Sequence, residues 1–188
     1  EQIVQGLADA RRAAAAGVRS VLIADVGLLD VFAEARRRGF LPEDMQAKVS
    51  VMLPVSNPAT ARTLVALGAD TLNLTTDLSL AQIAAIRSVV DVPLDIYVEV
   101  PDNVGGFVRL HEIPEIVRVA SPVYLKFGLR NAPDVYPAGT HLEATTVALT
   151  RERVRRARIG MELLAREWGD CETSELGARG LALVRAGG

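Results

Sequence analysis

Segments with helical periodicity alternate along the chain with short apolar runs. Apolar residues spaced by three and four positions predict helices, and the short runs between them are typical of buried strands. Helices are predicted at residues 2–16, 28–38, 58–68, after residue 79, near 112–120 and at about 151–167. Strands are predicted at 21–25, 49–53, 70–74, 94–100 and 123–127. This order predicts a single α/β domain over residues 1–188, with parallel strands joined by helices. The tail, 175–188, stays undecided between a short helix and a disordered end.

Two helix starts carry capping signals. Asn57 precedes Pro58, and this pair is typical of an N-cap followed by proline at the first helical position. Ser79 and Gln82 have the spacing of a capping box. The sequence therefore predicts helices that begin just after Asn57 and Ser79.

The predicted strands are apolar on one face only. In 94–100, alternate positions from Leu94 onward are apolar, whereas Asp95, Tyr97 and Glu99 share the other face. Strands of an open doubly wound sheet are covered on both sides, so both of their faces should be apolar. The one-sided pattern instead favours a (β/α)8 TIM-type barrel with helices outside and a polar interior. The side chains predicted to share that interior are Asn73, Asp95, Tyr97, Glu99, Tyr124 and Lys126.

The strand count falls short of a complete barrel. Five strands are predicted, whereas a barrel has eight in about 250 residues. The chain is therefore predicted to be the later part of a barrel. Its other strands would come from upstream residues, a homo-oligomer or a partner chain, and a non-catalytic subunit completed by such a partner is one alternative.

Candidate catalytic and binding residues cluster where the predicted strands end, since barrel active sites lie at that face. Glu99 is the candidate general acid or base, and Lys126 the cation for an anionic group. Asp25 is the third catalytic candidate. The predicted substrate-binding residues are Asn73, Tyr97, Tyr124, Arg130, Asn131 and His141. The structural alternative is that Lys126 neutralises Glu99 in a buried pair while Asp25 and Asn73 cap turns.

The loop at 128–143 has neither helical nor strand periodicity. Gly128 lets the chain turn, and Pro133 and Pro137 stiffen its return. The loop is predicted to be a binding rim in which Tyr136 and His141 cover the site; a purely structural cap is the alternative.

Composition narrows the function classes. The formal net charge is −2 and the basic residues are dispersed, which argues against nucleic acid as a partner. No apolar run approaches the roughly 20 residues that cross a bilayer. The single cysteine, Cys171, excludes an internal disulfide and fits a cytoplasmic setting. No cofactor is predicted, although a divalent metal held by His111, His141 and a carboxylate remains an alternative.

Three segments resemble a known family. Ala24 to Gly27, Leu67 to Ile83 and Asp95 to Val100 are similar to motifs of the collagenase-like peptidases, peptidase family U32. The resemblance implies a TIM barrel, further residues upstream and hydrolase or lyase activity on a small polar or peptide-like substrate. Family members that hydroxylate RNA or ubiquinone hold an iron–sulfur cluster through four cysteines after the strand matching 94–100. This chain has no cysteine there, so no such cluster is predicted. The alternative is an aldolase- or isomerase-like enzyme that uses Lys126 and Glu99 on an oxo-acid or sugar.

Overall fold

The computed structural model describes residues 1–136, 139–175 and 178 of the chain. Its helices are α1 Gln2–Ala15, α2 Val26–Arg37, α3 Pro58–Ala66, α4 Leu80–Arg87, α5 Ile113–Ala120 and α6 Glu143–Glu167. Its strands are β1 Ser20–Ile23, β2 Gln46–Val49, β3 Thr71–Asn73, β4 Leu94–Glu99 and β5 Val123–Phe127. Short 3-10 turns occur at Asp102–Val104, Leu110–Glu112 and Thr140–Leu142. Most of the undecided tail, 175–188, lies outside the described residues. Within the described ranges, no helix has the length and apolar character needed to cross a membrane.

The five strands form one sheet in the order β1-β2-β3-β4-β5. All four neighbouring pairs are parallel, and each strand lies beside the one that precedes it in sequence. Helices make the connections, as parallel neighbours require. The prediction of an α/β fold with parallel strands is therefore confirmed.

The helix starts follow the capping signals. The side chain of Asn57 accepts a hydrogen bond from the backbone N of Thr60 at 3.0 Å, with Pro58 in the first turn of α3. Ser79 and Gln82 form the reciprocal capping box at the start of α4. Both predicted caps are confirmed, and they set where α3 and α4 begin after β2 and β3.

One side of the sheet forms the hydrophobic core with the helices. Its buried strand members include Ile23, Val49, Leu72, Leu94 and Ile96. The helices add Phe32, Leu64, Ile83, Ile116 and Leu164. Each such side chain contributes about 1.5–3 kcal/mol when it leaves water. The opposite side of the sheet therefore carries the polar positions of the alternation.

The predicted boundaries differ most from the structure at β2 and at the start of α6. Strand β2 runs from Gln46 to Val49, so the predicted strand residues 51–53 lie in the turn beyond it. Helix α6 begins at Glu143, eight positions before the predicted start at 151. Its first two turns are rich in threonine and mostly exposed, so they carry no apolar stripe that sequence periodicity could detect.

Helix α6 approaches β5 closely at Gly160. A Cβ atom at this position would lie 2.7 Å from Cζ of Phe127 and 2.9 Å from Cδ1 of Ile113. The absence of a side chain therefore lets the helix backbone approach the strand. This approach brings Arg156, one turn earlier, toward the end of β4.

Candidate functional site

The polar face of the sheet brings side chains from four strands together. In the sheet register, Asn73 lies beside Asp95, Asp95 beside Tyr124, and Tyr97 beside Lys126. Register partners in parallel strands point to the same side of a sheet, so these five side chains share one face. We call this surface, together with Lys48 of β2, the polar face.

Asp95 is the buried acid of the polar face. It is 3% exposed, and its Oδ2 lies 3.1 Å from Nζ of Lys48. Burial raises the pKa of Asp95, while the positive charges of Lys48 and Lys126 partly oppose that rise. A carboxyl group shifted in this direction is suited to hold and transfer a proton. Asp95 was predicted to face the interior but was not among the predicted site residues, because it lies at the start of its strand rather than at the end.

Each lysine of the polar face also lies over a tyrosine ring. Nζ of Lys48 is 4.5 Å from the ring centroid of Tyr124, and Nζ of Lys126 is 4.5 Å from that of Tyr97. Such contacts hold an ammonium group by attraction to the ring face. Lys126 forms no salt bridge with any residue that the structure describes. Its positive charge is therefore not neutralised by a contacting carboxylate.

Four buried polar atoms of this region have no hydrogen-bond partner among the described residues. They are Oδ1 and Nδ2 of Asn73, Oγ1 of Thr75 and Oδ1 of Asp95. Asn73 is 1% exposed, so its amide group is almost completely desolvated. The suggestion that Asn73 caps a turn is therefore wrong, because no turn amide donates to it.

Glu99 does not join Lys126 on the polar face. A β-bulge after Tyr97 shifts the register, so that Glu99 lies beside Phe127 instead. The Glu99 carboxylate, 1% exposed, accepts a hydrogen bond from the backbone N of Arg130 at 3.3 Å and lies 3.4 Å from Nη1 of Arg156. The predicted common face for Glu99 and Lys126, and the alternative of a buried pair between them, are therefore wrong. The bulge is the physical reason, since it breaks the alternation of side chains along β4.

Arg156 links α6 to the end of β4. Its guanidinium contacts Glu99 and also donates from Nε to Oε1 of Glu152 at 2.7 Å. Hydrogen bonds from Arg155 and Arg156 lower the pKa of Glu152 to about 2, so this carboxylate stays ionised at neutral pH. These contacts hold the Glu99 carboxylate at the carboxyl end of β4, and its predicted role as acid or base stays a prediction.

The loop after β5 is held against the loop after β4. The carboxylate of Asp102 accepts hydrogen bonds from Nε of Arg130 at 3.2 Å and from the backbone N of Asn131 at 2.5 Å. Asn131 has a φ of 53°, a left-handed conformation that asparagine tolerates better than most residues. Arg130 and Asn131 thus lie with Glu99 rather than with Lys126. Their predicted role in substrate binding stays a prediction.

The other predicted rim residues are exposed. Tyr136 is 87% exposed, and His141 is exposed in the 3-10 turn before α6. Tyr136 is therefore not placed as a cover over the polar face, and Pro137 lies outside the described residues. No group of three histidine, cysteine or acidic residues in the described ranges is arranged to hold a metal ion. The proposed His111, His141 and carboxylate set is thus not assembled there.

Asp25 caps a helix. Its Oδ1 accepts a hydrogen bond from the backbone N of Leu28 at 2.7 Å at the start of α2, and the residue is exposed. We expect Asp25→Ala to lower the free energy of unfolding by about 1 kcal/mol, because the cap is lost. Asp25→Ser should retain most of that stability. Urea unfolding of both variants measures this difference, and equal destabilisation by Ala and Ser would contradict the capping role.

A cavity of about 630 Å³ lies on the other side of β5. Its walls include Val123, Leu125 and Phe127 of β5, and Met161 and Leu164 of α6. These walls are largely apolar, although Tyr124, Cys171 and Glu172 also line the cavity. The buried carboxyl group of Asp95 and its neighbouring lysines lie on the polar face instead.

The chain is similar in sequence to one known protein family. The sequence profile of peptidase family U32 matches residues 1–99. Among solved structures, the U32 peptidase Mk0906 is 21% identical with a TM-score of 0.38, over 69% of this chain and 47% of that one. Nitroalkane oxidase from Streptomyces ansochromogenes is 19% identical with a TM-score of 0.35, over 52% of this chain and 29% of that one. The chain thus spans about half the length of the solved U32 peptidase. A comparison with curated protein sequences finds no match.

Proposed function

Because the chain belongs to peptidase family U32, we propose that it forms part of a (β/α)8-barrel hydrolase that acts on a small polar or peptide-like substrate. The strand order supports the barrel. Open doubly wound sheets reverse their strand order at a switch point, whereas barrel strands follow one another in sequence. The five described strands are all sequential and parallel, and β2 to β5 have one apolar and one polar face. On β1, Leu22 lies beside Lys48. The polar face is then the barrel interior.

The observation that carries the proposed function is that the polar face holds both a cation and a buried carboxyl group. Lys126 offers a positive charge without a salt bridge in the described part of the chain, and Asp95 offers a buried carboxyl group on the neighbouring strand. A peptide-like substrate has both an anionic group and a scissile amide bond. Lys126 would hold the carboxylate of such a substrate, because a charge-assisted hydrogen bond is about twice as strong as a neutral one.

Asp95 would carry the proton in this reaction. As a base, its carboxylate takes a proton from the attacking water as the new C–O bond forms. As an acid, it passes that proton to the leaving nitrogen when the C–N bond breaks. The raised pKa of Asp95 supports both steps, since the group can hold a proton closer to neutral pH than an exposed aspartate can. The aldolase or isomerase alternative needs Glu99 beside Lys126, and the β4 bulge between Tyr97 and Glu99 separates them, which favours the hydrolase.

Peptide cleavage tests this proposal directly. We expect the protein to cleave members of a defined mixture of short peptides, with the products identified by mass spectrometry. Asp95→Asn should abolish cleavage. Lys126→Met should raise KM about 10- to 100-fold for peptides with a free carboxylate, because a charged hydrogen bond is lost. Arg62→Met, which removes an exposed cation from α3, is the matched control and should leave the kinetics unchanged.

Two results would contradict the proposal. A protein that cleaves none of the peptides is not a hydrolase of this substrate class. Cleavage that survives Asp95→Asn at the parental rate would show that the proton is carried elsewhere.

A further inference from the structure

The unpartnered atoms of the polar face are concentrated at one place. Asn73 of β3 and Asp95 of β4 are register partners, and Thr75 follows Asn73 by two positions. Between them these residues present four buried atoms without hydrogen-bond partners in the described ranges. Leaving such atoms unsatisfied is costly, and a native structure that does so generally has a reason. The arrangement therefore indicates a polar group that this site is built to receive.

Lys48 is the side chain that lies across this place. It starts in β2 and its ammonium reaches Asp95 in β4, so it spans β3, which lies between those strands. The Cα atom of Lys48 is the register partner of Thr71, and Asp95 is the register partner of Asn73. The Lys48 side chain therefore runs from the level of Thr71 to the level of Asn73. The Lys48 side chain is 25% exposed. Because a lysine stem is a flexible four-carbon chain, its methylene groups can move aside. Its ammonium can stay on Oδ2 of Asp95, which leaves Oδ1 for another partner.

The chemistry of the open atoms selects the ligand. Oδ1 of Asn73 and Oδ1 of Asp95 are acceptors and Nδ2 of Asn73 is a donor, whereas the hydroxyl of Thr75 can donate or accept. A carboxylate would place its lone pairs against the two acceptors. An ammonium group has no acceptor, so it would leave Nδ2 of Asn73 without a partner. A primary carboxamide has two N–H donors for the acceptors and one carbonyl oxygen for the donors.

We propose that Asn73, Asp95 and Thr75 form a subsite for a primary carboxamide, reached when the methylene chain of Lys48 moves aside. In a peptide this group is the side chain of asparagine or glutamine, or an amidated carboxyl terminus. The inference builds on the proposed function, because it specifies the substrate class of the same polar face. It assigns Asn73 and Thr75 as specificity residues, separate from the carboxylate contact of Lys126.

Three small probes of similar shape test the subsite. Propionamide should cause a saturable change in the NMR signal of the Asn73 side-chain amide, which is assigned by its absence in Asn73→Leu. Propionate at the same concentration should cause no change at that signal. N-methylpropionamide should bind about tenfold more weakly, because one N–H donor is missing.

Variants give the matched controls. Thr71→Val changes a buried residue on the same strand and face, and it should bind propionamide as the parent does. Asn73→Leu should lose binding, followed through backbone amide signals of β3 and β4. If Asn73→Leu does not fold, Asn73→Asp serves instead, since it keeps the shape but loses both N–H donors. Absence of a saturable change in the parent, or unchanged binding in a folded Asn73 variant, overturns the subsite.

The same data separate this inference from the proposed activity. Propionamide binding at Asn73 without any peptide cleavage would support the subsite and remove the hydrolase proposal. If the protein cleaves peptides and Asn73→Leu has the same ratio of cleavage rates for glutamine-containing and glutamate-containing peptides as the parent, the hydrolase proposal stands. The subsite is then overturned.

Discussion

Lys48→Met is expected to lower the free energy of unfolding by about 2–3 kcal/mol at neutral pH. The ammonium of Lys48 lies 3.1 Å from the carboxylate of Asp95, whose side chain is almost fully buried. Removing only the cation leaves a buried carboxylate without its salt bridge, and the cost is large because water cannot replace the lost partner. Urea unfolding followed by circular dichroism measures the change.

The destabilisation by Lys48→Met should depend on pH in a defined direction. Burial raises the pKa of folded Asp95 above its ordinary value of 3.8, so the stability that its protonated form contributes is present below 3.8 and is lost as pH rises through the raised pKa. Lys48 opposes the rise in the pKa of Asp95, so its removal raises that pKa further. The variant therefore continues to lose stability at higher pH than the parent does. The stability difference between parent and variant should therefore vanish well below pH 3.8 and grow as pH increases above it.

Two controls isolate the buried pair. Lys126→Met makes the same chemical change on the same face, but Lys126 has no salt bridge in the described ranges, so its effect should be clearly smaller. The double variant Lys48→Met with Asp95→Asn should recover part of the loss, because no charge is left buried. Equal destabilisation by the two lysine variants, at every pH, would contradict the role given to the Lys48–Asp95 pair.

Local sequence signals predicted the elements of this fold well where one interaction decides the outcome. The caps at Asn57 and Ser79 are set by side chains a few residues from the amides they bind, so the sequence contains all that is needed. Strand β5 has the predicted bounds, Val123–Phe127, because a short apolar run preceded by proline and followed by glycine leaves little choice. The family resemblance, based on short motifs up to residue 100, agrees with the matched range 1–99.

The site could be predicted only as far as simple alternation holds. The segment 94–100 alternates without interruption, so the sequence gives no sign of the bulge that turns Glu99 toward Arg156. A bulge depends on pairing with the neighbouring strand, which is a long-range property. The same limit applies to Lys48, because its reach across β3 to Asp95 depends on strand order. Sequence reasoning therefore found the polar face and missed which acid shares it with Lys126.

Asn73→Leu is expected to raise the free energy of unfolding by about 2 kcal/mol. The side-chain amide of Asn73 is buried from solvent and has no hydrogen-bond partner in the described part of the chain. Leucine has a similar shape and no polar atoms that need a partner. The gain in stability should coincide with loss of carboxamide binding, since the replaced atoms are those that would contact the ligand. A residue that is retained at a cost in stability is typical of a functional site.

Asn57→Leu is the matched control for this prediction. It makes the same substitution where the side chain is used, because Asn57 accepts a hydrogen bond from the backbone N of Thr60. It should lower the free energy of unfolding by about 1 kcal/mol, the opposite sign to that of Asn73→Leu. Urea titrations with equal m-values for both variants and the parent would show that only stability has changed. If Asn73→Leu destabilises the protein as Asn57→Leu does, the Asn73 amide has a structural partner after all, and the reason for assigning it to a ligand disappears.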